Sequence, residues 1–222
     1  MDIVERMIGT VGHAFAFRPG VVIPDWTLVT EPMARALKFY REQLKSTPKA
    51  IDYLRTRGLT GEIAARFGLG YAPDDWQGLR QIFPDYDDAL LVECGLIIVN
   101  DQGRRYDRFR DRIMFPILDQ RGNVIGFGGR VIGQGEPKYL NSPETPLFEK
   151  GRELYGLPQA RKAIQETDTV LVVEGYMDVI GLAQHGVENV VATLGTAATD
   201  ANMQKLLRLA NRVVFCFDRD NA

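Results

Sequence analysis

The sequence predicts an α/β chain, in which an α+β N-terminal subdomain is followed by a short parallel sheet with helices on both faces. Past Thr167, three apolar runs ("TVLVVEG", "VENVVATLG" and "RVVFCFD") are separated by helical segments. None of them alternates apolar with polar residues, so each reads as a strand buried on both sides, as in a parallel sheet. Upstream the order differs. Helical segments come first, and "YDRFRDRIMFPILD", "QRGN" and "VIGFGGRVI" then read as two alternating strands joined by a turn. With 45 % apolar residues in 222, a sizeable core can be buried.

Residues 1–30 show no sustained period and include the turn-rich "RPGVVIPDW", so they stay unassigned. From Glu31, "EPMARALKFYREQLKS" has a Pro in its first turn and apolar residues at Met33, Leu37, Tyr40 and Leu44, which predicts a helix. "PKAIDYLRTRGLTGEIAARFGLGYAP" predicts two short helices. The first ends near Gly58, and the second runs from Thr60 to Gly68. "DALLVECGLI" reads as one more helix, and β texture begins after Ile98. Within the last part, "YMDVIGLAQHG" is helical to Gly186. "TDANMQKLLRLAN" is a helix capped by Thr199, with Asp200 at its positive end and Met203, Leu206, Leu207 and Ala210 on one face. The change of period places a boundary near residue 165, dividing the chain into 1–30, 31–165 and 166–222.

Charge and cysteine usage narrow the function classes. The formal net charge is −2, so contact with nucleic acid requires a local basic patch. Neither Cys94 nor Cys216 has a Cys or His at ligand spacing; no zinc site is expected, and both read as reduced core thiols. His13 and His185 stand alone and read as structural. No basic-then-apolar leader and no run near the ~18 apolar residues of a membrane span is present, so a soluble, cytoplasmic protein without a membrane partner is expected.

Two constellations carry chemistry. In a parallel sheet all strands present their carboxyl ends on one edge, where ligands bind. Glu174 ends the first run, and Asp218 and Asp220 end the third. With a strand period of two, the aspartates point the same way. Three carboxylates on one edge repel unless a hard cation lies between them, and Mg²⁺ takes a few carboxylates plus waters and phosphates. Gly175 permits close approach, and Asp178, one turn on, is placed to support a metal through water. An acid that caps a helix and an Asp pair in a solvated turn would give the same spacing, which leaves both open.

The second constellation is basic. Arg108, Arg110 and Arg112 alternate in "RRYDRFRDR", so on a strand they line one face suited to phosphates, although a surface strand with cross-strand ion pairs fits equally. "PKYLNSPETPLFEKG" reads as a loop that, with Arg130, adds Lys138, Tyr139, Asn141 and Lys150. Its lysines suit a triphosphate and its Asn a base or ribose, while an ordinary polar surface loop also fits. "GFGGR" is not followed by a helix and reads as glycine packing in a hairpin.

"VVEGYMDVIGLAQHGVENVVATLGTA" followed by "FCFDRD" resembles the Toprim domain of bacterial replicative primases of the DnaG type. The resemblance continues upstream through "RFRDRIMFPILDQRGNVIGFGGRV", "PKYLNSPETPLFEKGRELYG" and "YLRTRGLTGEIAARFGLGYAP", and so covers about residues 31–222. "PKYLNSPET" together with "EGYMDV" is highly specific.

The resemblance implies template-directed synthesis of short RNA primers on single-stranded DNA by metal-dependent nucleotidyl transfer. It implies that Glu174, Asp218 and Asp220 hold Mg²⁺ or Mn²⁺, one ion activating the 3′-hydroxyl and another steadying pyrophosphate. Arg110, Arg112, Arg130, Lys138, Tyr139, Asn141 and Lys150 would then meet the template and the ribonucleoside triphosphates. A replicative helicase is the partner of the full-length family.

Against that pattern the chain carries no zinc module, reads as a Toprim fold cut short after D-x-D, and lacks the helicase-binding region. Little activity is expected of it alone. Arg219 and Asn221 also depart from the family's Gly-Asp-Arg ending. A single-strand binding module without catalysis and another Toprim enzyme, a nuclease or topoisomerase, are the alternatives.

Overall fold

The computed structural model describes residues 26–195 and 198–217. His13, Asp218 and Asp220 lie outside them, as do Arg219, Asn221 and most of the unassigned N-terminal segment.

Helix α1 (Trp26–Ser46) begins before the predicted Glu31 and holds Pro32 inside it. Burial explains the early start. Val29, Met33, Ala36, Tyr40 and Leu44 are all buried at helical spacing, so the turn before the proline packs like the turns after it. Leu37, expected on this face, is only partly buried. Helices α2 (Pro48–Thr56) and α3 (Gly61–Arg66) follow as read from sequence. The Thr60 side chain accepts from the Ile63 amide, and Gly58 and Gly68 take the left-handed φ of +76° and +65° that stops each helix.

The first sheet contains β1 (Gly70–Ala72), β4 (Arg112–Leu118), β5 (Val124–Val131) and β6 (Tyr139–Asn141), antiparallel in the order β1-β4-β5-β6. The predicted hairpin is β4–β5, with Phe115 opposite Gly128. Its turn is closed by Asp119, whose carboxylate accepts from the amides of Arg121 and Asn123. "DALLVECGLI" is not one helix. Helix α4 (Ala89–Glu93) ends at Gly95, and Ile97–Val99 forms β2, which pairs with β3 (Arg105–Asp107). "PKYLN" is likewise not all loop, since β6 adds a fourth strand.

Helix α5 (Leu157–Thr167) leads into the second sheet, β7 (Thr169–Val173), β8 (Val190–Ala192) and β9 (Arg212–Phe215), parallel in the order β8-β7-β9. Helices α6 (Tyr176–Gln184) and α7 (Asp200–Leu207) connect these strands. Val170 and Val172 face a cluster with Leu157, Ala160, Ile164 and Leu206, whereas Val173 faces α6 through Val179, Ile180 and Ala183. Strands β7 and β8 are covered on both faces and have no polar side, which is why their runs do not alternate. Strand β9, predicted to be buried in the same way, is not: none of its residues is fully buried, and Phe215 is 42 % exposed at the edge of the sheet.

Two sequence readings are corrected here. Leu207 is 57 % exposed. The buried face of α7 runs through Asn202 and Leu206, four residues apart, and a neighbour of Leu206 is turned about 100° away from it. Cys216 is exposed and only Cys94 is buried, because β9 is an edge strand whose last residues have no cover among the described residues.

Helix α6 is shared by both sheets. One apolar cluster runs from Leu54, Ile63 and Phe67 through Ile113, Phe115 and Ile117 to Tyr176, Val179 and Ile180. On the other face of the first sheet, α1 packs Met33, Ala36 and Tyr40 with Met114 and Phe127.

Candidate functional site

The carboxyl edge of the parallel sheet carries one of the three predicted acids among the described residues. Glu174 follows β7 directly and is exposed. Gly175 caps α6, and its amide donates to the Asp178 carboxylate at 3.1 Å. Asp178 therefore has a local task as helix cap, beside any part it takes in holding a metal. Glu174, Met177, Asp178, His185 and Cys216 line one solvent-open cavity of about 520 Å³. The Cys216 amide donates to the Val172 carbonyl at 2.9 Å and so carries β9 along β7 toward the same edge. His185 Nδ1 lies 2.8 Å from the Gly181 carbonyl, in keeping with a structural histidine. Among the described residues no cluster of three His, Cys, Asp or Glu is placed to hold a metal. Asp218 and Asp220 lie outside those residues.

The predicted row of arginines on a strand is not formed. Residues 108–111 leave the sheet, because Asp111 sits at φ +49°. That conformation is held from a distance. The Asp111 amide donates to the Pro73 carbonyl, and its carboxylate accepts from Tyr71 Oη at 2.8 Å and pairs with Lys49 at 2.8 Å. These partners keep the Lys49 ammonium above its ordinary range.

The three arginines consequently part. Arg108 turns inward and donates from Nε and Nη2 to the Asn141 carbonyl at 3.3 and 3.2 Å, and its burial lowers its pKa. Arg112 is 7 % exposed and donates to the carbonyls of Gly129 and Lys138. Arg110, half-buried like Arg108, donates to the Asp107 carbonyl and lies against aromatic rings. Its guanidinium lies 4.2 Å from the Trp76 ring centroid and 5.1 Å from that of Tyr106, and Trp76 is 64 % exposed.

A basic groove does exist, built differently from the sequence expectation. Lys49, Tyr53 and Arg57 of α2 and its C-cap line a cavity of about 740 Å³ with Arg130 and Lys138, and the four cations outnumber the two carboxylates there, Asp52 and Glu136. Arg130 donates to the hydroxyls of Tyr53 and Tyr139. Lys49, Tyr53 and Arg57 were missed from sequence, although their spacing of four on a predicted helix is a legible signal. Lys138 is exposed in this groove. Lys150 lies elsewhere, on the loop where the Thr199 hydroxyl donates to the Gly151 carbonyl, beside the start of α7. The Asn141 side chain is engaged within the protein. Its Oδ1 accepts from Tyr176 Oη at 2.8 Å, and its Nδ2 donates to the Leu194 carbonyl at 3.1 Å.

Asp107, 3 % exposed at the end of β3, is a further residue and one without a sequence signal. Its carboxylate accepts from Tyr86 Oη at 2.6 Å and the Leu79 amide at 2.9 Å. Burial pushes its pKa up to about 6 despite those two bonds. It anchors the start of the 108–111 segment.

Comparison with known proteins adds to this geometry. Residues 39–161 match the family model "DNA primase catalytic core, N-terminal domain", and residues 171–222 match "Toprim-like". A DNA primase from Neisseria meningitidis is 57 % identical over 184 residues, covering 83 % of this chain and 31 % of the relative. The DNA primase of Escherichia coli K12 is 50 % identical over 188 residues, covering 83 % and 32 %. The chain thus spans about a third of the length of the curated relatives it matches.

Among solved structures, a DnaG primase catalytic domain bound to ssDNA superposes with a TM-score of 0.81 at 47 % identity, over 88 % of this chain and 64 % of that one. A DNA primase domain from Pseudomonas aeruginosa gives 0.81 at 51 %, over 87 % and 62 %.

Proposed function

Since the chain belongs to the DNA primase catalytic-core family, we propose that it is the part of such an enzyme that joins ribonucleotides into short RNA primers on single-stranded DNA. One observation carries the reading. The loop bearing Glu174 is packed onto the strands that bear the groove's cations. Tyr176, two residues after Glu174, lies over Gly128, and its ring centroid is 6.2 Å from that of Tyr139, which holds Arg130. An acidic edge and a basic groove on adjoining elements are what nucleotidyl transfer requires, since one handles the reacting oxygens and the other the phosphates.

Glu174 and Asp178 bring hard carboxylate oxygens to one open cavity, the donor chemistry that Mg²⁺ or Mn²⁺ takes, and with Asp218 and Asp220 they would hold the metal. When bound, the metal supplies charge neutralisation and a more acidic 3′-hydroxyl. Lys138, with Lys150 nearer α7, would hold triphosphate oxygens, and Arg130, 8 % exposed and bonded to the Tyr53 and Tyr139 hydroxyls, would add its charge from beneath. Arg57 would follow the template backbone, and Arg110 on Trp76 would offer a base a stacking face beside a cation. Arg108 and Arg112, tied to carbonyls, shape this surface from behind. Residues 31–165 would form the template and nucleotide subdomain and 166–222 the Toprim part, acting in the cytoplasm with a helicase partner. No helix among the described residues is long and apolar enough to cross a membrane.

The test is primer synthesis on single-stranded DNA with Mg²⁺ and ribonucleotides. It would compare the chain, and a chimera joining it to the remaining length of the Neisseria relative, with their Glu174→Gln variants. Synthesis that is abolished in Glu174→Gln, with salt-sensitive DNA binding retained, is the expected result. DNA cleavage with Mg²⁺ and no nucleotides would replace the reading with a nuclease. Metal-independent binding alone, in both proteins, would leave a single-strand binding module.

A further inference from the structure

We propose that Tyr176, through its hydroxyl and Asn141, is a positioning residue that fixes Glu174 relative to the cations of the first sheet. This rests on the reading of Glu174 given above. The ring of Tyr176 is buried against Phe115, with centroids 5.0 Å apart, and Tyr155, at 4.7 Å. A phenylalanine would make the same contacts. The hydroxyl adds direction, because it donates to Asn141 Oδ1 at 2.8 Å.

Asn141 uses both ends of its side-chain amide and its carbonyl in this junction. Its Oδ1 takes Tyr176, its Nδ2 donates to Leu194 just past β8, and its own carbonyl receives Arg108. In the β5–β6 register it pairs with Gly128, and a Cβ on Gly128 would lie 2.5 Å from Tyr176 Cζ. Gly128, Asn141 and Tyr176 therefore fit as a set. One strand end of the first sheet thereby ties down the loops after both β7 and β8, at the carboxyl edge of the second sheet. Between Tyr176 and Glu174 stands only Gly175, and the Asp178 carboxylate holds its amide at 3.1 Å. Little slack remains by which Glu174 can drift from the groove. Displacement of a reacting group by about 1 Å costs on the order of a hundredfold in rate, so a tether of this kind reads out in kcat.

The test compares Tyr176→Phe, Asn141→Asp, Asn141→Ala, Glu174→Gln and the double variant Tyr176→Phe/Asn141→Ala. Thermal stability and amide exchange are read on the chain, and kinetics on the primer-synthesising form. Tyr176→Phe should keep a cooperative melt, exchange faster at Gly175 to Met177, and lose roughly tenfold or more in kcat, with nucleotide KM and ssDNA affinity unchanged. Asn141→Asp keeps an acceptor for Tyr176 but no donor for Leu194, so exchange should quicken at Leu194 and Gly195. The double variant should be no worse than Asn141→Ala, the sign of two residues acting as one unit. A wild-type kcat and exchange pattern in Tyr176→Phe, with nucleotide KM raised in Asn141→Ala, would overturn the inference and make Asn141 a direct nucleotide contact. Full synthesis by Glu174→Gln would overturn both this inference and the functional reading beneath it.

Discussion

Replacing Gly128 by Ala should be among the most damaging single-methyl changes in this protein. The added Cβ would meet Tyr176 at 2.5 Å from Cζ, 2.6 Å from Cε2 and 2.7 Å from Oη, where ordinary contact begins at 3.4 Å. Relief requires the ring to retreat by about 1 Å. It cannot do so freely, because Phe115 is stacked at an interplanar angle of 10° and Tyr155 stands edge-on at 88°. Overpacking a filled core in this way costs roughly 1–3 kcal/mol. Breaking the Tyr176–Asn141 bond adds about 1 kcal/mol.

The sum, roughly 2–4 kcal/mol, is to be read from urea unfolding as a lower midpoint at constant m. Gly181→Ala is the control. It lies in α6 with nothing within 4 Å of its would-be Cβ, and it should gain up to about 1 kcal/mol from helix propensity. A double-mutant cycle then isolates the contact, since most of the Gly128→Ala cost should vanish in a Tyr176→Ala background. A Gly128→Ala protein as stable as the parent, or an undiminished cost in Tyr176→Ala, would refute the packing argument.

Asp107 has a folded pKa of about 6, above its unfolded value, so the folded state binds the proton more tightly. Its contribution to stability is thus full below about pH 4 and lost as pH rises through 6, roughly 2–3 kcal/mol, and Asp107→Asn should remove that slope when urea midpoints are compared across pH. Arg57→Ala should weaken ssDNA binding in the groove and reduce the slope of log K against log salt by about 0.7, whereas Arg161→Ala, on α5 and outside that groove, should leave the slope unchanged. Thr199→Ala removes the acceptor of the Asn202 amide and the donor to the Gly151 carbonyl, and should cost about 1 kcal/mol in thermal or urea unfolding.

How far the sequence could be read follows the range of the forces involved. The caps at Thr60 and Thr199 were legible because a cap is made within three residues of itself. The stops at Gly58 and Gly68, the "QRGN" turn and the doubly buried runs of β7 and β8 are local in the same way. Glu174 at a strand's carboxyl end was legible for a topological reason, since parallel strands share an edge. Arg108, Arg110 and Arg112 were misjudged because alternation presumes a strand. The strand is broken at Asp111 by Tyr71 and Lys49, some forty and sixty positions earlier.

By itself, then, the sequence determined most of the helices and the longer strands, though not β2, β6 or the break at 108–111, together with the order that makes the second sheet parallel and the edge to which Glu174 is delivered. Backbone preference and hydrophobic period act over a few residues and are written where they act. The tertiary structure alone decided which cations face the groove. It drew Arg108 and Arg112 into carbonyls, set Lys49, Tyr53 and Arg57 around one cavity with Arg130, buried Asp107 under Tyr86, and locked Tyr176 to Asn141. A polar side chain is placed by whichever distant partner satisfies it away from water, and that partner is fixed only once the elements have packed.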